Sequence, residues 1–173
     1  MHLVHTALLH GCSPSDYGTN YQMHLLEQYK LMVEMADRVS ARRMQANTFF
    51  LAANTGLLTV FASLAKDKIL SGVLGALPIG ALLILCVVWE RIMCSYRQLN
   101  NGKFEVIHYL EQLLPTAPYA AEWVAIGAGM DPSRYRPLSL VEIWVPRLFG
   151  LLYGLLLVAV LFSRSQSAGA VCS

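Results

Sequence analysis

Hydrophobic and polar positions alternate along this chain on two scales, and the longer scale sets the architecture. Between Arg43 and Lys66 lie twenty-two residues without a formal charge, and between Lys68 and Glu90 lie twenty-one. Each exceeds the roughly eighteen to twenty apolar residues that cross a hydrocarbon core of about 30 Å. A third block, Leu148 to Ser163, has only sixteen residues between Arg147 and Arg164, about 24 Å of helix. Including Ile143 to Pro146 restores the length if Arg147 snorkels toward the head groups. The pattern therefore predicts an all-α integral membrane protein: a two-span hairpin over 44–89 and a third transmembrane helix over 143–163.

The shorter scale is helical. From Tyr21 to Arg43, Leu25, Tyr29, Met32, Ala36 and Val39 recur at spacings of four, three, four and three, a heptad-like stripe on an amphipathic helix. Glu27–Lys30 and Glu34–Arg38 can pair across turns of the opposite face. The stripe serves equally as packing on another helix of the same chain or as a seam between subunits. Residues 90–142 read as a second polar helical segment. Its helix continues from Trp89 to Leu114, with a weak point at Asn100-Asn101-Gly102 and a stop at Pro115 and Pro118. A short helix near 119–126 ends at Gly127 or Gly129, and Asp131-Pro132 signals a turn. Ser139 with Glu142 forms a capping-box pattern that starts the third apolar helix.

Polar residues inside the spans must face protein or water, because lipid offers them no hydrogen bond. In the first span, Thr48, Ala52, Thr55, Thr59 and Ala62 form a small, weakly polar stripe bordered by Asn47 and Asn54. Two readings are open: interhelical packing, or the lining of a pore. The second span carries Gly72, Gly75, Gly80 and a mid-helix Pro78 that should bend it. Gly150 and Gly154 form a GxxxG pair suited to close helix–helix contact, here between subunits.

Charge orients the chain. Ten Lys and Arg residues precede the first span or lie between the second and third, against Lys66, Lys68 and Arg164 on the other side. The positive-inside rule puts the N-terminus and residues 90–142 in the cytoplasm and the tail, 164–173, outside. A net charge of +2 gives no footing for nucleic acid. Residues 1–20 read as a disordered leader. Leu9-His10-Gly11-Cys12 echoes a lipoprotein cleavage site, but no basic n-region precedes it. Cys12, Cys86, Cys94 and Cys172 have no paired spacing. No catalytic, cofactor or metal motif emerges: His2, His5 and His10 have no Cys or Asp at ligand spacing, and His24 and His108 stand alone. The spans hold no ionisable group away from their ends, which weighs against a proton-coupled carrier. Glu90 beside Arg91 at the boundary reads as an ion pair or a solvated end.

The run from Tyr29 to Asn47, continuing into Thr48-Phe49-Phe50, resembles the RipA family of bacterial octameric membrane proteins. So do Trp89-Glu90-Arg91, the run from Ser95 to Lys103, Leu114-Pro115, Tyr119, Glu122-Trp123 and the stretch from Tyr135 to Pro146. The likeness covers 21–153. It implies a bacterial cytoplasmic membrane, a homo-oligomer of eight subunits and no enzyme activity. The order helix, span, turn, span, helix also looks like two-span pore-forming effectors of bacterial defence, whose cytoplasmic part binds a signal. The function expected is a membrane scaffold or structural assembly, with a gated pore triggered by an unknown cytoplasmic ligand as the alternative. The topology predicts that a membrane-impermeant thiol reagent applied to spheroplasts labels Cys172 and spares Cys94. A protected Cys172 would remove the third span.

Overall fold

In the computed structural model, residues 14–66, 73–131, 133–135 and 138–169 are described. They form α1 (Pro14–Tyr17), α2 (Tyr21–Lys66), α3 (Val73–Glu111), α4 (Pro118–Ala125) and α5 (Leu138–Gly169), with no strand among the described residues. Residues 1–13 of the leader, the turn at 67–72, Pro132 of the turn signal and the end of the tail lie outside them, as do Cys12 and Cys172. The described part of the expected leader is not featureless. It holds α1, and the Tyr17 hydroxyl meets His24 Nδ1 at 2.9 Å.

The expected amphipathic helix and first span are one helix of 46 residues, about 69 Å long. No Gly or Pro separates Arg43 from Ala46, and the intervening Met44 and Gln45 are good helix formers. The second span likewise continues into the polar segment as a helix of 39 residues. It runs without interruption through Asn100-Asn101-Gly102, the weak point of the helix read there. One helical Gly costs about 1 kcal/mol, and burying Met93 and Ile107 on either side offsets that at roughly 1.5–3 kcal/mol each. Pro78 and Pro146 both lie inside helices. Helix α5 begins at Leu138, one residue before the start read at Ser139. Glu142 pairs with Arg43.

The chain divides into two compact units. One comprises residues up to Arg42 with Tyr96–Pro137, the other Arg43–Ser95 with the residues from Leu138 onward. Both long helices give a segment to each unit.

The second unit contains the three apolar blocks. Helices α2, α3 and α5 are each long and apolar enough to cross a membrane, the last over Val141–Phe162 with a mean hydropathy of 2.1. Ile79, Leu82, Cys86 and Tyr153 are buried at its centre, with Leu58, Phe61, Phe149 and Leu157 packed around them. Phe50 stacks on Trp89 with ring centroids 6.0 Å apart, and Phe149 bridges Trp89 and Tyr153. Glu90 bonds to Arg147, not to its neighbour Arg91: Arg147 Nη2 lies 2.7 Å from Glu90 Oε1. That partner neutralises the one charge that interrupts the third apolar helix.

In the first unit, Leu25, Ala36 and Val39 are buried together with Ile107, Leu110 and Glu111. Helix α4 buries none of its residues. It ends in a Schellman motif, in which Gly127 donates to the Val124 carbonyl and Ala128 to that of Trp123. Gly127 takes φ +87° and Gly129 +75°, and a Cβ on Gly129 would lie 3.2 Å from the Trp123 ring. Side chains are excluded there by both conformation and space.

Candidate functional site

The polar residues of the first span separate into two sets. Asn47 and Asn54 turn inward within the second unit. Trp89 Nε1 donates to Asn47 Oδ1 at 3.1 Å. Asn54, fully buried, donates to the Phe50 carbonyl at 2.9 Å and accepts the Cys86 thiol at 3.5 Å. Thr48, Thr55 and Thr59 lie about 100° away around the helix and are exposed on the protomer. Their hydroxyls donate back to the carbonyls of Met44, Leu51 and Thr55 at 2.8–3.0 Å. Such a helix satisfies its own side chains and presents a weakly polar outer face.

The heptad-like stripe is occupied within the protomer. Leu25, Ala36 and Val39 are buried and Tyr29 and Met32 half-buried in a single chain, which favours packing within the protomer over the subunit seam. Periodicity identifies a buried face, not what buries it. Gly150 is likewise used internally, since a Cβ there would lie 3.8 Å from Cys86 Cβ, whereas Gly154 has open space around it.

Sequence reasoning missed Glu111, which meets four partners among the described residues of the first unit. Its carboxylate is buried at the C-terminal end of α3. It accepts from the Tyr29 hydroxyl at 3.1 Å and from the Tyr119 and Ala120 amides at 2.8 and 3.1 Å. His108 Nδ1 lies 3.4 Å away. Residue 117, which precedes α4, is Ala and has no side-chain cap to offer. Glu111 therefore caps α4 from outside, where two orphan amides and the positive helix end favour a carboxylate. Two signals pointed to it: Ala-Pro at a helix start without a capping side chain, and a Glu in the last turn of a helix, where the dipole disfavours it. Burial, with the Glu111 hydrogen bond and charge, pushes the Tyr29 hydroxyl up to about 12.

Beside this cluster a shallow groove of about 400 Å³ is lined by Tyr29, Lys30, Val33, Glu34, Asp37 and Tyr119. Lys30 pairs with Glu27 and Glu34 with Arg38. Among the described residues, no group of three or more His, Cys, Asp or Glu is placed to hold a metal ion. The Tyr153 hydroxyl is buried in the second unit without a hydrogen-bond partner among the described residues.

Three long apolar helices, the first two joined by hydrogen bonds between interior polar groups, define a multi-span helical membrane protein. The chain belongs to the octameric membrane protein family (8xMP), whose family model matches residues 26–162. Comparison with curated proteins and with solved structures found no match.

The Glu111 cluster yields two predictions. Glu111→Ala leaves the Tyr119 and Ala120 amides uncapped and should destabilise the first unit by about 1–3 kcal/mol, read as lost amide-exchange protection over 117–125. Glu111→Gln, which keeps one acceptor oxygen, should lose less. Tyr29 supplies a pH dependence. Its folded pKa lies above its ordinary value of 10, so the unfolded chain releases the proton first. Stability should be intact below pH 10 and fall as pH rises from there toward 12. Tyr29→Phe should remove that loss in alkaline unfolding curves.

Proposed function

We propose that this protein is a non-enzymatic, homo-oligomeric scaffold of the bacterial cytoplasmic membrane, built from eight subunits with the N-terminus in the cytoplasm. The observation that carries the reading is the inward placement of Asn47 and Asn54. The side-chain oxygens of both accept from the second apolar helix of their own protomer, which favours interhelical packing over a ring of acceptors for an ion. Family membership supports the eight-fold assembly, and the charge distribution supports the orientation. The narrower likeness to RipA proteins rests on the sequence runs from Tyr29 to Asn47 and from Ser95 to Lys103.

A gated pore is the alternative, and it would have to use the outward Thr48, Thr55 and Thr59 face. The two readings separate on the inward Asn54 and the outward Thr55. In the scaffold, Asn54→Leu leaves the Cys86 thiol without its acceptor and lowers assembly stability modestly. Asn54→Asp buries an unpaired charge and should lower it by about 3–5 kcal/mol. Purified octamer in planar bilayers should conduct under no condition, with or without candidate nucleotide signals. Steady single-channel currents that Thr55→Leu abolishes and Thr55→Asp makes cation-selective would replace the scaffold with a pore.

A further inference from the structure

An octamer inserted in one orientation has restricted symmetry. Dihedral arrangements place two-fold axes in the membrane plane and would turn half the subunits upside down. A chain with one charge-directed topology can close only about an axis normal to the membrane. Its contacts are then head-to-tail, so each protomer must present two different surfaces that fit each other. This restriction rests on the octameric assembly and holds for a scaffold and a pore alike.

The first unit carries two such surfaces. One is the outer face of α4 with the loop behind it. Val124 is 70% exposed and Met130 89% exposed, and the three positive-φ residues 127–129 hold Met130 just beyond the helix end. Arg134 stands beside them. Its guanidinium reaches Asp131 and the Ala125 carbonyl and retains further donors. The other surface is the groove between α2 and Tyr119. Its floor is formed by Tyr29, Val33 and Tyr119, and at its edge Asp37 is exposed with no partner among the described residues. Tyr119 and Val124 are five residues apart, about 140° around α4, so the two surfaces occupy different faces of that helix.

We propose that the Val124–Met130 projection of one protomer docks into the Tyr29–Val33–Tyr119 groove of the next copy, with Arg134 meeting Asp37. Charge distinguishes this occupant from a lipid surface. Interfacial helices carry Lys and Arg along the polar face, whereas the only charge on α4 is Glu122. In the groove, Lys30 is taken up by Glu27, so Asp37 has no cation paired with it among the described residues. Arg134 supplies one.

The test uses the full-length protein in its membrane. Met130→Cys combined with Val33→Cys, oxidised with copper phenanthroline, should give a ladder of reducible multimers. Wild type and each single variant should not. Asp37→Arg should lose octamer by native mass spectrometry, and adding Arg134→Asp should restore it. That rescue separates a broken contact from a misfolded unit. An octamer that forms without the ladder in the double-cysteine variant would overturn the docking and leave the assembly intact. So would cross-linking in the Met130→Cys single variant, or quenching by spin-labelled lipid of a fluorophore attached at position 130 of that variant. A monomeric wild type would overturn the assembly as well.

Discussion

Hydrocarbon offers no hydrogen bonds, and the second unit is arranged around that constraint. Every polar side chain placed in an apolar helix must find its partner in protein. The first span meets the demand in two ways. Thr48, Thr55, Thr59 and Ser63 bond to the carbonyl four residues back and need no neighbour. Asn47 and Asn54 have amides too demanding for that solution alone. They take Trp89 and Cys86 from the second apolar helix, and in doing so fix its register and rotation against the first. The aromatic stack of Phe50, Trp89, Phe149 and Tyr153 then extends that register to the third.

The same logic operates at the ends of the spans with charge in place of amides. Arg147 would burden the third apolar helix as an isolated cation. Glu90 removes the burden, and Arg147 also lies over the Trp144 ring at 5.5 Å. Arg43 Nε lies 3.3 Å from Glu142, an ion pair without hydrogen-bond alignment. These two pairs each join helices far apart in sequence. They orient the third helix in a way its uniform Leu-rich surface could not.

How much of this was readable in the sequence depended on whether the determinant was local. Charge-free runs gave the three apolar helices, because span length follows from composition alone. The extent of α4 was also local: a short helix read near 119–126, ending at Gly127 or Gly129, runs over Pro118–Ala125 with Gly127 in its closing turn. Contacts between distant segments were not readable. The stripe of Leu25, Ala36 and Val39 announced a buried face, but a subunit and a neighbouring helix impose the same period. Glu111 sat in a run of apolar residues as one more charge near a helix end. Only the fold brings it to the amides of residues eight and nine positions on. Asn47 and Asn54 looked continuous with the threonine stripe because they flank it in sequence, yet a rotation of about 100° sends them to another surface.

That separation bears on which surfaces remain for other subunits. Internal packing consumes the inward face of α2, the Gly150 side of α5 and the cap beneath α4. Among polar and small-residue features of the spans, the outward threonine face and Gly56, Gly80 and Gly154 stay open. A hydroxyl bonded to its own helix needs no partner, so the threonine face can meet lipid or a neighbouring helix at little cost. Such a surface tolerates contact without dictating its geometry. Specificity between subunits must therefore come from features that a wrong partner leaves unsatisfied. In the first unit these are the exposed Asp37 carboxylate and the exposed Val124 and Met130 side chains. A ring can close at a definite number of subunits only if its contacts fix the angle between neighbours. A carboxylate–guanidinium pair over an apolar floor does so more sharply than apolar contact between helices in lipid.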